Sequence, residues 1–287
     1  RGNWRTVPLA TMISRDLTDF MQHNLAVEVK TDNDLKLAWN LVYGYRLFQI
    51  MWRGVTQEDQ AWINLVQLFQ REVYSHITGQ RLVWWDESAD GTVRTAYENG
   101  MYIAANLGTA GPLAYGGVTV PTNGVIATER GLAAGVFSRI GDFDFPQPIA
   151  LILRRQAGET DPFVELFTAA PTRTLVAVPR DPSWMRSAGI TVRDQDGAEI
   201  PAATSEGTVI FTNRPRPNGE ARYMVSYQAL DWDARLVSAG EVVGGDTVRV
   251  QLQIAAGEKP LEVQAASVTA WLVSGGQAVP GPDSFPV

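Results

Sequence analysis

The stretch Leu25-Ala26-Val27-Glu28-Val29, followed by the segment 31–53, decides the fold that the sequence predicts. Its residues are apolar except for Glu28, and a strand that is apolar on both faces is typical of a parallel sheet covered by helices. The segment 31–53 is apolar on nearly every side of a helix, and Thr31 with Asp34 fits an N-terminal cap. We therefore predict a buried strand and then a long buried helix that ends at Gly54.

The predicted helix 31–53 is too polar to cross a membrane. Lys36 and Arg46 carry charge, Asn40 and Gln49 are polar, and no run of about 18 uncharged apolar residues remains. We therefore expect this helix to be buried against protein, and we expect no part of the chain to insert into a membrane.

The segments on either side of this unit predict shorter elements. Residues 7–13 predict a short strand, and Ser14 is a candidate N-terminal cap for a short helix that runs to Met21. Residues 56–78 have apolar side chains at helical spacing, which predicts an amphipathic helix with one buried face that ends at Gly79.

From residue 81 onward the apolar residues alternate, which predicts β-structure. The runs 92–97 and 101–106 flank Glu98-Asn99-Gly100, and Asn-Gly between alternating runs is a strong hairpin signal. Turn signals then recur about every 8–12 residues, as in sandwiches and barrels. Because a polar stretch at 156–162 separates two series of strands, we predict a β-sandwich over 81–156 and an immunoglobulin-like or fibronectin-like sandwich over 157–287.

Composition excludes several classes of function. The chain has 287 residues, a net charge of −7, two histidines and no cysteine. The acidic balance and the absence of Lys or Arg runs argue against a nucleic-acid partner. The scarcity of His and the absence of Cys argue against a zinc site, a catalytic thiol and a disulfide framework. No catalytic triad or phosphate-binding glycine loop is found either, so we expect no metal and no cofactor.

The N-terminus gives a further expectation. The chain begins at Arg1 and shows no signal peptide, so we expect a mature product or one piece of a longer protein. The absence of cysteine leaves the compartment open, with an extracellular or periplasmic location favoured.

A strand and helix of parallel type need neighbouring strands, so we interpret 7–13 and 25–29 as the last two strands of a parallel sheet. Several motifs then follow one another in a definite order along the chain. They are Val7-Pro8-Leu9, Arg15-Asp16, His23-Asn24-Leu25-Ala26, Leu37-Ala38-Trp39-Asn40, Gly44-Tyr45, the hairpin 95–106 and the turn Val120-Pro121-Thr122-Asn123-Gly124. This order resembles the C-terminal end of a bacterial (β/α)8-barrel glycoside hydrolase with appended β-sandwich domains, over residues 1 to about 140.

The resemblance implies a mainly β chain whose N-terminal α/β portion, residues 1–80, closes a (β/α)8 barrel. It implies hydrolysis of a glycosidic bond by two carboxylates, and the main catalytic pair would lie on earlier barrel strands outside this chain. Barrel active sites lie at the C-terminal ends of the strands, and aromatic faces stack on sugar rings. The residues expected to contact carbohydrate are therefore Asp16, Glu28, Lys30 and Trp84, with His23, which precedes the last strand, as a further candidate. Structural roles also stay open: a solvated carboxylate for Asp16, a position on the structural face of the barrel for His23, an ion pair for Glu28 and core packing for Trp84.

The expected partners are carbohydrate and the remaining barrel portion, present either as another chain or as residues absent from this sequence. Without that portion, we expect Leu37, Trp39, Tyr43 and Phe48 to expose a large apolar patch, which soluble monomers avoid. Two alternatives stay open. One is a non-enzymatic structural or adhesive β-protein with a helical assembly segment, and the other is a carbohydrate-binding module without catalysis.

Overall fold

A computed structural model of the chain describes residues 9–20, 33–47, 57–108, 111–156, 163–179, 187–205 and 207–229, with the strand segments 232–238, 250–256, 259–260, 273–274 and 277–278. The predicted strand at 25–29 and the last part of the predicted helix, residues 48–53, lie outside these ranges. The chain divides into two compact units, Arg1–Ala229 and Leu230–Val287.

The first described element is the short helix α1, Leu9–Ser14, where the sequence predicts a strand. The strand prediction is wrong for these residues because the same apolar positions also fit a helix. Leu9 and Ile13 lie four residues apart on the exposed side, whereas Thr11 and Arg15, also four apart, are buried. The helix predicted to begin at Ser14 is likewise wrong, since residues 15–17 form a turn.

Helix α2, Asn33–Val42, begins near the predicted position but ends about ten residues early. Gly44 has a φ of +70°, a conformation in which glycine commonly ends a helix. After it, Tyr45 forms an isolated parallel bridge with Phe20, and the Arg46 N–H donates to the Phe20 carbonyl at 2.6 Å. Two glycines could end this helix, and the chain uses Gly44, so the prediction of Gly54 is wrong.

The predicted amphipathic helix over 56–78 is confirmed, with a distortion in its middle. It comprises α3, Gln57–Phe69, a π-helical turn, Gln70–Tyr74, and α4, Ser75–Ile77. Gly79 follows with a φ of +70°, as expected for a helix end. The π-helical turn buries the charged side chain of Glu72.

The predicted hairpin is also confirmed. Strands β2, Thr92–Tyr97, and β3, Tyr102–Asn106, are antiparallel, and Gly100 between them has a φ of +91°. The preceding strand is β1, Leu82–Glu87. The other strands of the first unit are β4 Leu113–Tyr115, β5 Val118–Val120, β6 Val125–Glu129, β7 Leu132–Ile140, β8 Phe143–Gln156, β9 Phe163–Thr168, β10 Leu175–Pro179, β11 Ser187–Asp194, β12 Glu199–Ile200, β13 Ala202–Thr204, β14 Thr208–Thr212 and β15 Ala221–Ala229.

Most of these strands form one antiparallel sheet in the order β1-β2-β3-β6-β7-β8-β9-β15-β11-β12, with β4 and β5 attached through β7. One face of this sheet packs against the helices, with Leu41, Phe69 and Ile103 among the core residues. The other face packs against the small sheet β10-β14-β13, through residues such as Phe137 and Phe211. The prediction of a mainly β chain is therefore confirmed.

The second unit contains antiparallel strands as well. They are β16 Trp232–Ser238, β17 Val250–Ala256, β18 Lys259–Pro260, β19 Val273–Ser274 and β20 Gln277–Ala278. The predicted barrel portion and the predicted domain boundaries stay predictions. At the predicted boundary after residue 156, β8 and β9 are neighbours in one sheet, so the sheet continues across it.

The expectation of an apolar patch on the long helix is wrong where it can be checked. Leu37 and Tyr43 are buried within this chain, Trp39 is half-buried, and Phe48 lies outside the described residues. The core between the helices and the large sheet buries these side chains, whereas the sequence analysis expected a missing barrel portion to bury them. Among the described residues of the N-terminal part, the large apolar side chains that are exposed are instead Leu9, Ile13 and Leu17.

Candidate functional site

Three aromatic rings form a continuous row along one surface of the large sheet. The ring centroids of Trp84 and Tyr102 are 6.5 Å apart with an angle of 19° between the ring planes. The centroids of Tyr102 and Tyr115 are 5.7 Å apart with an angle of 14°. We call these three residues the aromatic row. Trp84, at one end, exposes 44% of its surface, and the other two rings are half-buried.

Strand register places the first two rings together. Ala96 on β2 pairs with Trp84 on β1 and with Tyr102 on β3, so these three side chains lie on one face of the sheet. Tyr115 comes from β4, and its hydroxyl lies 3.3 Å from the Thr128 hydroxyl on β6, the residue that pairs with Tyr102. Three separate parts of the chain therefore supply the row.

Polar groups accompany the row at the Trp84 end. Arg94, two residues before Ala96 on β2, bonds to Asp86 at 3.5 Å and to the Ser88 hydroxyl at 3.1 Å. Burial raises the pKa of the Tyr102 phenol, and the nearby Arg94 guanidinium partly opposes that rise. Tyr102 therefore keeps its proton at neutral pH and can donate a hydrogen bond. Aromatic faces can stack on a sugar ring, and the hydroxyl, guanidinium and carboxylate groups beside them can donate or accept the hydrogen bonds of its hydroxyl groups.

The other end of the row opens into a shallow cleft of about 330 Å³. Tyr115 forms one side of it, the turn Gly116-Gly117 another, and Arg139 a third. Arg139 donates to the Gly141 carbonyl at 3.0 Å, which holds its guanidinium at the edge of the cleft. The row and this cleft together give an elongated surface with polar groups at both ends.

The structure describes only two of the residues that the sequence selected for carbohydrate contact. Trp84 lies at the exposed end of the aromatic row, whereas Asp16 is exposed in the turn after α1. His23, Glu28 and Lys30 lie outside the described residues. The expected grouping of Asp16, His23, Glu28 and Lys30 at the end of a barrel therefore stays a prediction, and Trp84 lies beside Tyr102.

The turn that contains Asp16 anchors its neighbour Arg15 instead. The Arg15 side chain is fully buried, pairs with Asp19 at 2.6 Å and lies 4.9 Å from the centre of the Tyr74 ring. The Tyr74 hydroxyl donates to the same Asp19 carboxylate at 3.4 Å. Burial raises the pKa of Tyr74 to about 12. This cluster joins α1 to the π-helical turn and has a structural role.

Sequence reasoning missed Tyr102 and Tyr115. The Asn99-Gly100 turn fixes the β2–β3 register, so the sequence did contain the signal that Tyr102 lies across from Ala96. Tyr115 had no such local signal because β4 reaches the sheet only through β5 and β7.

Comparisons with known proteins identify no relative of this chain. No protein-family model matches the chain, and no curated protein is significantly similar to it.

Within the described part of the chain, no group of three or more His, Asp or Glu residues is arranged to hold a metal ion. None of the described helices combines the length and the apolar character needed to span a bilayer.

Proposed function

We propose that this chain binds carbohydrate along the aromatic row and forms the C-terminal portion of a glycoside hydrolase. The observation that carries the proposal is the stacked arrangement of Trp84, Tyr102 and Tyr115, with one ring exposed and polar side chains beside it. Sugar rings present apolar C–H faces to aromatic side chains and hydroxyl groups to polar ones, which matches this surface.

The enzymatic part of the proposal rests on the order of motifs along residues 1 to about 140, which resembles the end of a barrel glycosidase. In that function two carboxylates act as acid and as nucleophile or base. The main catalytic carboxylates would belong to the remaining barrel portion, outside this chain. This chain would contribute subsite residues and supporting β-structure.

An exposed apolar stripe supports the proposed partner. Leu9, Ile13 and Leu17, each four residues from the next, expose more than half of their surfaces, from 61% to 82%. Such a stripe along a short helix and the turn that follows it favours contact with another protein surface. We propose the remaining barrel portion as that surface. The same stripe also fits the alternative of a structural or adhesive protein that assembles through its helices.

The decisive experiment compares two variants that remove equally exposed apolar side chains. Trp84→Ala removes the exposed ring of the row, and Leu175→Ala is the control because Leu175 on β10 exposes a similar 41% of its surface. Glycan-array screening of the full chain selects a ligand, and affinity electrophoresis with that glycan then measures binding. We expect Trp84→Ala to lose about 1–3 kcal/mol of binding free energy, by analogy with bases stacked on aromatic side chains, and Leu175→Ala to bind normally.

Failure of the full chain to bind any glycan, or equal binding by both variants, would overturn the carbohydrate proposal. The enzymatic part is tested separately by the intact mass of the native protein. A longer precursor or a second chain rich in alternating strands and helices is expected. A native protein of this length that neither associates nor cleaves glycans would contradict it.

A further inference from the structure

A second cleft lies on the helix-packed side of the large sheet, away from the aromatic row in the strand order. It has a volume of about 360 Å³ and is bounded by the π-helical turn, by strands β8, β9 and β15, and by the turn after β11. Four arginines line it: Arg71, Arg154, Arg216 and Arg222.

The charges in this cleft are arranged in two layers. The two innermost carboxylates are Glu72, from the π-helical turn, and Glu165, from β9, and their side chains are only 5% and 8% exposed. Arg71 and Arg222, which pair with them, are 54% and 58% exposed. These two carboxylates are therefore buried and ion-paired, while the guanidinium groups of Arg71 and Arg222 face the solvent.

Packing fixes the guanidinium groups of Arg154 and Arg222. Both lie 5.6 Å from the centre of the Phe167 ring, one from β8 and the other from β15. Arg154 also pairs with Glu72, and the backbone N–H of Arg222 donates to the side-chain oxygen of Gln195 at 3.1 Å. Such preorganised forks bind oxyanions with little loss of side-chain freedom.

Acidic groups at the edge of the cleft reduce its net positive charge, but they do not occupy all the N–H donors of the arginines. Arg216 pairs with the exposed Asp196 at 3.1 Å, and half-buried Glu220 also lines the cleft. Counting these, the acids balance the four arginines overall. Each guanidinium carries five N–H donors, and one nitrogen of each makes the ion pair described above. Donors therefore remain for a ligand, and the outward layer is positive.

We infer that this cleft binds the oxyanion group of an acidic ligand, a carboxylate or sulfate, and that Arg71 and Arg216 at its rim contact that group. The π-helical turn supports a binding role because such turns occur frequently at functional sites. In this chain the turn directs Glu72 inward, where it orients Arg71 and Arg154 from behind. The inference does not depend on the aromatic row.

Titration calorimetry of the full chain with sodium glucuronate, glucose and sodium sulfate tests the inference. We expect glucuronate to bind more tightly than glucose, because only glucuronate carries the oxyanion that this cleft takes, whereas both sugars can stack on the aromatic row. The double substitution Arg71→Gln and Arg216→Gln should weaken glucuronate binding about tenfold or more, since hydrogen bonds to charged groups are the strong ones. Both side chains are more than half exposed, so the variant should fold.

Arg130→Gln is the matched control, because Arg130 is an exposed arginine in the turn between β6 and β7 and lines neither cleft. It should bind glucuronate normally, and Trp84→Ala should keep the preference for glucuronate over glucose, which separates this cleft from the aromatic row. If sulfate competes with glucuronate, the cleft is a general oxyanion site. If sulfate does not compete, the ligand of the cleft is a carboxylate-bearing sugar. No glucuronate binding, equal binding of glucose, or unchanged binding by the double variant would overturn the inference.

Discussion

Trp84 and Tyr102 belong to strands separated by a third strand, yet their ring centroids are only 6.5 Å apart. Alternate strands of a sheet lie about 9.5 Å apart, twice the spacing between neighbours. The rings therefore lean towards each other above the residue between them, which is Ala96. A single methyl group at this position permits the aromatic row to be continuous.

Ala96→Leu tests this role. A larger side chain fills the space above β2 and separates the two rings, whose contact contributes about 0.5–1.5 kcal/mol. We expect the melting temperature to fall slightly and glycan binding by the row to weaken, although no aromatic residue is removed. Ala203→Leu is the control, because Ala203 is an exposed strand residue of the small sheet. If Ala96→Leu bound glycans as well as the unmodified chain does, a continuous row would not be required.

The row also shows what the sequence could predict. The β2–β3 hairpin follows from Asn99-Gly100 and alternating residues, both of which are local signals. The helix that ends at Gly79 follows from spacing in the same way. In contrast, Tyr115 and the arginine cleft depend on strands that are distant in sequence, and no local pattern encodes such pairings.

The errors near the N-terminus have a different physical origin. Residues 9–13 fit two periods at once, because Leu9 and Ile13 satisfy both a strand and a helix face. The end of α2 was ambiguous because two glycines could stop it, and tertiary contacts of Gly44 decided between them. Local propensity sets the possible elements here, and packing selects one.

Gly44 is expected to tolerate no side chain. Its φ is +70°, and an added Cβ would lie 2.5 Å from the buried Tyr97 hydroxyl oxygen and 3.1 Å from Thr11. Gly44→Ala should therefore lower the free energy of unfolding by the left-handed backbone penalty of about 1–2 kcal/mol, and the steric clash should lower it further. Urea unfolding of the variant measures the total loss.

Gly79→Ala separates these two terms. Gly79 has the same φ of +70° but nothing within 4 Å of an added Cβ, so it should show the backbone penalty only. Adding Tyr97→Phe to Gly44→Ala removes the clashing oxygen and should recover part of the loss. Equal destabilisation by Gly44→Ala and Gly79→Ala would contradict the proposed contact.

The link between the β7–β8 turn and the small sheet should depend on pH. Thr208 and Ser205 donate to Asp142, Ser205 at 2.8 Å, and these hydrogen bonds lower the pKa of the Asp142 carboxyl from 3.8. A lowered folded-state pKa stabilises the fold above pH 3.8, and that stabilisation is lost as the pH falls below it. Removing the charge should therefore matter at neutral pH and not in acid.

Asp142→Asn tests this dependence through thermal unfolding between pH 7 and pH 2.5. We expect its melting temperature to be lower than that of the unmodified chain at neutral pH, and the difference to shrink as Asp142 itself becomes protonated. Asp144→Asn is the control, since Asp144 is highly exposed and lies 3.7 Å from Arg139. A difference that stays constant down to pH 2.5 would show that protonation of Asp142 is not involved.

The buried amide of Asn213 is expected to be costly to remove. It donates to the carbonyls of Ala170 and Pro171 at 2.7 and 3.0 Å, and it accepts from the Tyr223 hydroxyl at 2.7 Å. The same hydroxyl accepts from the Arg214 N–H at 2.5 Å, so every group in this chain of bonds has a partner. Asn213→Ala leaves several of them unpaired, each at about 1–3 kcal/mol.

Because these groups form one network, their contributions should not add. Asn213→Ala should lose about 3 kcal/mol or more in urea unfolding, and Tyr223→Phe about 1–3 kcal/mol. The double variant should lose less than the sum, since each single change already breaks the shared bond. Asn218→Ala, an exposed turn residue that accepts one backbone bond, should lose little. Strict additivity in this cycle would mean that the two side chains act independently, despite the 2.7 Å bond between them.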